Sequence, residues 1–176
     1  MLLVTTTYDA SAETLARAQE AADELKARYV VRGRTSLAKL KKLHPASDIV
    51  VVGRTSLEWH PAGGAEPFFF HPGMSWIRAK RLAAGDRDAM LDSAGFAPGD
   101  SVIDATAGLC ADSIVFSFAG GRESRVVAVE SEAALHYVVT RGLREYESGW
   151  DDFDRAMRRV ETVRADHADF LRSRPD

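Results

Sequence analysis

The chain has 176 residues, room for one medium domain or a domain with a small appendage, and its 45% hydrophobic and 28% charged content is ordinary for a globular protein. A single cysteine, Cys110, excludes an internal disulfide framework and fits a reducing cytosol, and no apolar run approaches the roughly 20 residues of a membrane span. The net charge of −3 is uneven: residues through Ala84 carry 12 Lys and Arg against 8 Asp and Glu, and those from Gly85 onward carry 11 against 18. A polyanionic partner would therefore meet the front half, although so small an excess also fits scattered surface charge.

Met1 leads straight into Leu2-Leu3-Val4 with no basic leader, so no secretion signal is read and a cytoplasmic location is expected. Leu2–Tyr8 is apolar and Thr-rich, which predicts a strand. Asp9 or Ser11 can cap a helix from Ala12 to Arg28, with Leu15, Ala18, Ala22 and Leu25 at helical spacing. A short strand follows at Tyr29–Val31, then a turn at Arg32-Gly33-Arg34. A helix through Leu37, Leu40 and Leu43 is ended by His44-Pro45. Asp48–Val52 reads as a buried strand and Leu57–Trp59 as an edge strand. The pentapeptide G-R-T-S-L stands at Gly33–Leu37 and again at Gly53–Leu57, read as two similar turns leaving two strands.

After a Pro- and Gly-rich loop comes F-F-F-H-P-G-M-S-W-I-R-A-K-R-L, Phe68–Leu82. A strand and then a helix from Pro72 or Gly73 are expected, with Arg78, Lys80 and Arg81 beside Trp76 and Ile77. Aromatic residues interleaved with basic ones can stack bases and neutralise phosphates, and equally they form a packed linker helix with a solvated basic face. A domain boundary is placed between Ala84 and Asp86, giving a small α/β N-terminal domain over 1–84 and a second domain over 85–176. Within the second, a helix spans Arg87–Phe96 and a strand Ser101–Ile103 runs into Asp104. A helix opens near Ala111, the apolar strand R-V-V-A-V-E ends at Glu130, and helices cover Glu132–Glu147 and Trp150–Arg159. Val160–Ala165 is a third strand before Asp166-His167 and a last helix from Ala168.

Apolar strands alternating with helices describe a Rossmann-like parallel sheet under right-handed crossovers, whose ligands sit at the C-terminal strand ends. Three strands end in an acid, Asp104, Glu130 and Asp166, so three carboxylates are expected on one rim. The loop Ala105-Thr106-Ala107-Gly108 after the first lets a ligand approach the backbone, though an ordinary turn with a helix-capping Asp has the same residues. Glu130 lies 26 positions after Asp104, near the offset at which an acid reaches ribose hydroxyls. Of the G-x-G-x-x-G pattern that cradles a pyrophosphate only Gly108 is present, and no Lys follows. A nucleoside ligand without phosphate therefore fits better, and adenosylmethionine has that character. No His and Cys cluster has metal-ligand spacing, so no metal is expected.

D-A-T-A-G-L-x-x-D at Asp104–Asp112 resembles the motif of class I S-adenosylmethionine-dependent methyltransferases, more narrowly of the J-type small-subunit ribosomal RNA guanine methyltransferases. It is also similar to a related bacterial group sharing T-T-x-Y, R-G-x-x-S-L, F-F-F-H-P-x-M-x-x-I-R-x-K-R-L and A-D-H in this order. The resemblance implies a methyltransferase domain behind a small α/β domain, and an in-line displacement at the sulfonium methyl of S-adenosylmethionine (SAM). It places donor contacts on Asp104, Ala105, Thr106, Gly108 and Asp112, with Glu130 at the ribose and Asp166 at the adenine. Ribosomal RNA is the partner it implies, with His71, Arg78, Lys80 and Arg81 as candidate contacts. A small-molecule acceptor, or SAM binding without catalysis, are the alternative readings. Two departures stand out. Cys110 takes the place of a usual Gly, and no D-P-x-F tetrapeptide, which holds the target amine in such enzymes, occurs in the sequence. A C-terminally truncated sheet of three strands, with no assigned catalytic residue, is therefore expected. His167 is read as a loop residue.

Overall fold

The computed structural model describes residues 1–64 and 66–173. They form two compact units, Met1–Phe70 and His71–Asp176. In the first unit β1 (Leu2–Thr6), β2 (Arg28–Tyr29), β3 (Asp48–Val52), β4 (Leu57–His60) and β5 (Phe68–Phe69) form one sheet in the order β2-β1-β3-β4-β5. The first three strands are parallel, and β4 and β5 return antiparallel. Register places Leu3 beside Ile49 and Val4 beside Val50. With a period of two, Leu3, Ile49 and Val51 share a face and meet Leu40 of α2 (Leu37–Leu43). Helix α1 (Ala12–Leu25) packs on β1 and β3 through its buried Ala18, Ala21 and Ala22, small residues that allow close approach.

Two sequence expectations shift here. Ser11 caps α1 through the Thr14 N–H (3.2 Å), but the helix stops at Leu25 rather than Arg28 because Lys26 turns left-handed, with φ 50°. The Ala27 N–H then donates to the Ala22 carbonyl (2.8 Å) and the Lys26 N–H to that of Asp23 (3.1 Å), a Schellman end made without glycine. Strand β4 is internal rather than an edge, since Phe68 and Phe69 cover it, with Phe68 stacked on Trp59 at 5.0 Å between centroids.

In the second unit β6 (Ser101–Asp104), β7 (Arg125–Glu130) and β8 (Glu161–Arg164) form a wholly parallel sheet in that order. Its helices are α3 (Gly73–Ala83), α4 (Ala89–Ala94), α5 (Ala111–Gly120), α6 (Ala133–Glu145), α7 (Asp151–Arg159) and α8 (His167–Arg172). The apolar run Val126–Val129 is buried, as a strand covered on both faces requires, and Ile114, Val115, Val138, Leu143, Phe153 and Met157 fill the core around it. Among the described residues no helix is long and apolar enough to cross a membrane.

Helix α3 belongs to this second unit, so the division falls at Phe70/His71 and not near Ala84. The buried Ser75 and Ala79 seat it close, and it packs on α5. Arg78 is the clamp. Its Nε and Nη2 donate to both oxygens of Asp88 (2.8 and 2.7 Å), and its Nη1 donates to Asp112 in the first turn of α5 (2.6 Å). Asp88 also caps α4, accepting from the Met90 and Leu91 N–H groups (3.1 and 3.3 Å). Lys80 lies over the rings of Trp76 and Trp150, 4.9 and 4.7 Å from their centroids, and Arg81 pairs with Asp86 at 3.3 Å. All three cations of α3 are thus engaged within their own unit, as in a packed linker helix.

The Arg78 guanidinium is the main reason the Asp88 carboxyl sits at about 2, below its ordinary 3.8. A depressed value means that the ionised form stabilises the fold above about pH 4, and that this contribution fades as pH falls toward 2. Asp88→Ala is expected to cost about 1–3 kcal/mol at neutral pH, read from urea unfolding, with the gap to wild type closing between pH 4 and 2. Phe153, fully buried and stacked on Trp150 at 5.9 Å, gives a second prediction: Phe153→Ala is expected to cost about 3–5 kcal/mol at any pH where the chain folds.

Candidate functional site

The parallel register of β6, β7 and β8 brings their C-terminal ends onto one rim. At the first, Asp104 is spent largely on its own loop. One oxygen accepts from the Thr106 N–H (3.2 Å) and the other from the Ser113 hydroxyl on α5 (2.6 Å). The Ala107 N–H donates to the Val129 carbonyl at 3.2 Å, drawing the loop over β7. Gly108 and Cys110 then take positive φ, 49° and 59°, and the Cys110 N–H closes on the Ala107 carbonyl at 2.7 Å. Left-handed backbone suits Gly108 and is unusual for Cys110, whose thiol is 1% exposed and pushed up to about 12 by burial and the nearby Asp104 charge. Such a thiol stays protonated and fills the turn; it is no nucleophile.

At the second strand end Glu130 accepts the Glu132 N–H through Oε1 (2.8 Å), while its other oxygen has no partner among the described residues. At the third, the Ala165 N–H reaches the Glu130 carbonyl (3.2 Å), and Asp166 caps α8 through the Ala168 and Asp169 N–H groups (2.9 and 3.2 Å). Those N–H groups hold the Asp166 carboxyl below the usual range.

Between the strand ends lies a cleft of about 200 Å³. Ala105, Thr106 and Gly108 form one wall, Val129, Glu130 and Ser131 the floor, and Ala165 and His167 the far side. Four of the seven residues expected at a donor site, Ala105, Thr106, Gly108 and Glu130, therefore come together. The other three do not line it: Asp104 braces the loop, Asp112 pairs with Arg78, and Asp166 caps α8. His167, expected to be a loop residue, begins α8 and lines the cleft; its place directly after the third strand-end acid was the available signal. His71 stands edge-on to Tyr146 at 6.1 Å between centroids, away from the residues that line this cleft. No group of three or more His, Cys, Asp or Glu among the described residues is arranged to hold a metal ion.

No protein-family model matches the chain. The uncharacterized protein YpiP of Bacillus subtilis (strain 168) is 34% identical over 174 residues, a match that takes in 99% of this chain and 67% of YpiP. Among solved structures, a SAM-dependent methyltransferase from Neisseria gonorrhoeae superposes with a TM-score of 0.58 at 14% identity, covering 98% of this chain and 63% of that one. The chain thus spans less than two thirds of that enzyme's length, and the likeness is one of fold. On these grounds the chain has a methyltransferase-like α/β fold and belongs to the family of YpiP.

Proposed function

We propose that the chain binds SAM in the rim cleft and serves methyl transfer to RNA, at a guanine amine. The observation that carries the first part is a small-residue loop and a carboxylate with a free oxygen on adjacent parallel strand ends, around a cleft about the size of a nucleoside. The residues present suit that group. The free oxygen of Glu130 can accept from ribose hydroxyls. Gly108 and Ala105 leave space for a base edge, and Val129 offers apolar contact. The cleft carries no Lys or Arg, which disfavours a phosphate and suits a neutral nucleoside. Asp104 makes two hydrogen bonds, and a carboxylate has acceptor capacity beyond that for an ammonium group. When bound, SAM supplies an electrophilic methyl on its sulfonium. The chain's own part is to fix the nucleoside end and exclude water around it. No base is assigned, since no D-P-x-F occurs in the sequence.

For the RNA partner, support comes from the first unit. Arg78, Lys80 and Arg81 of α3 are all engaged, whereas the Arg34 and Arg54 side chains have no partner among the described residues. Both belong to the recurring G-R-T-S-L turns, which leave β2 and β3 on either side of β1. Arg32 ties the first turn to the Thr6 carbonyl (3.0 Å), and Arg17 reaches the Arg54 carbonyl in the second (2.6 Å), so the two turns flank one strand end. The engagement of the α3 cations favours the competing reading of a small-molecule acceptor.

Calorimetry with SAM checks the donor site: Glu130→Ala is expected to weaken binding about tenfold or more, about 1.4 kcal/mol, with the melting temperature unchanged. Equal affinity in the two proteins would overturn the assignment. Binding of a single-stranded RNA across a salt series checks the partner. Reversing Arg34 and Arg54 to Glu is expected to reduce the salt slope by about one and to weaken binding. An unchanged slope decides for the small-molecule acceptor.

A further inference from the structure

A second cleft, of about 340 Å³, lies at the other end of β8. Thr140 and Arg144 from the later turns of α6, Arg158 and Arg159 from the end of α7, and Glu161 and Thr162 from the start of β8 stand around it. The rim cleft begins four residues further along the strand, at Ala165, about 13 Å away at 3.3 Å per residue. The two clefts differ in chemistry as well as position.

Three guanidinium groups reach this second cleft without a carboxylate of their own. Arg158 donates to the main-chain carbonyls of Asp154 (3.0 Å) and Tyr146 (3.1 Å), and Arg159 to that of Ser117 (2.8 Å). Arg144 is exposed and has no partner among the described residues. Carbonyl dipoles orient these side chains but leave their charge in place. The one carboxylate of the cleft, Glu161, is held by Arg125 through two hydrogen bonds of 2.9 and 2.6 Å. Arg159 also keeps a buried Nε–H with no acceptor, a donor that a bound oxyanion would satisfy. Burial, with Arg122 and Arg155 near, lowers the Arg159 pKa, the mark of a site that lacks negative charge. The hydroxyls of Thr140 and Thr162 lie 2.9 Å apart; one donates to the other, and the second retains its proton for an outside oxygen.

Multiple fork donors, a free hydroxyl proton and an orphan N–H match a tetrahedral dianion better than a single carboxylate. We propose that this cleft is a phosphate-binding site, taking a pyrophosphate-like group either from a free small molecule or from a nucleic-acid backbone. Neutralisation of the C-terminal dipoles of α6 and α7 is the simpler role for these arginines, yet Arg159 bonds a carbonyl of α5 and Arg144 bonds none. The proposal is independent of the donor reading, because no residue is shared between the two clefts.

The test is titration of the full chain with pyrophosphate at constant ionic strength, followed by calorimetry and by 31P line width. One-site binding is expected, weakened at least tenfold by Arg144→Gln, whose exposed side chain bears no fold contact, so its melting temperature stays at the wild-type value. Arg159→Gln is expected to weaken binding further, and only its folded fraction is scored. An RNA oligonucleotide that displaces pyrophosphate, and does so less well with Arg144→Gln, identifies a nucleic-acid backbone as the source. Pyrophosphate binding that RNA does not disturb identifies a free phosphate compound. Absence of binding at millimolar pyrophosphate, or equal affinity for wild type and Arg144→Gln, overturns the proposal and leaves the arginines as helix caps.

Discussion

The second unit depends on what the Asp104 carboxylate holds. By accepting from the Thr106 N–H and the Ser113 hydroxyl, it ties the end of β6 to the first turn of α5 and fixes the loop between them. With the loop fixed, Gly108 and Cys110 adopt left-handed backbone, and the wall of the cleft is set at the height of Glu130 on the neighbouring strand. A neutral residue at 104 would leave the Thr106 N–H without its side-chain acceptor and free the helix entrance. The acid is structural first, and any contact with a ligand is added to that duty.

Parallel pairing completes the positioning. Three strands in one direction place three loops on one rim, whose cleft is lined by small residues and a single carboxylate. The opposite end of β8 collects helix C-termini, and with them Arg144, Arg158 and Arg159. One sheet thereby carries a site suited to a neutral nucleoside at one end and a cationic cleft at the other. That polarity comes from strand and helix direction, not from the overall charge of −3.

Much of this fold is legible in the sequence. The apolar run Asp48–Val52 and the strands ending at Asp104 and Glu130 stand where composition puts them, because a buried parallel strand has to be continuously apolar. Where local signals are absent, boundaries move: nothing in Lys26 announces a left-handed helix end, so α1 closes three residues before Arg28. The two G-R-T-S-L turns read alike, but Ser36 caps α2 while the Gly53 N–H bonds to the Ser56 carbonyl at 2.8 Å ahead of a hairpin strand. Five identical residues serve two different exits, since Ala38-Lys39-Leu40 continues the first turn as a helix and Glu58-Trp59-His60 continues the second as a strand paired with β3.

The candidate site was legible to a lesser degree. Strand-end acids can be read from spacing, but which of them faces a ligand depends on partners distant in sequence. Arg78 claims Asp112 across 34 positions and, with Asp88, removes α3 from a free basic surface. His167 enters the cleft because Asp166 starts a helix there. The most direct test of the central claim is a crystal structure of the chain with SAM bound. The expected result is adenosine in the cleft between Thr106 and His167, with ribose hydroxyls on the free oxygen of Glu130. Adenosine located elsewhere, or no bound ligand at saturating SAM, would contradict it.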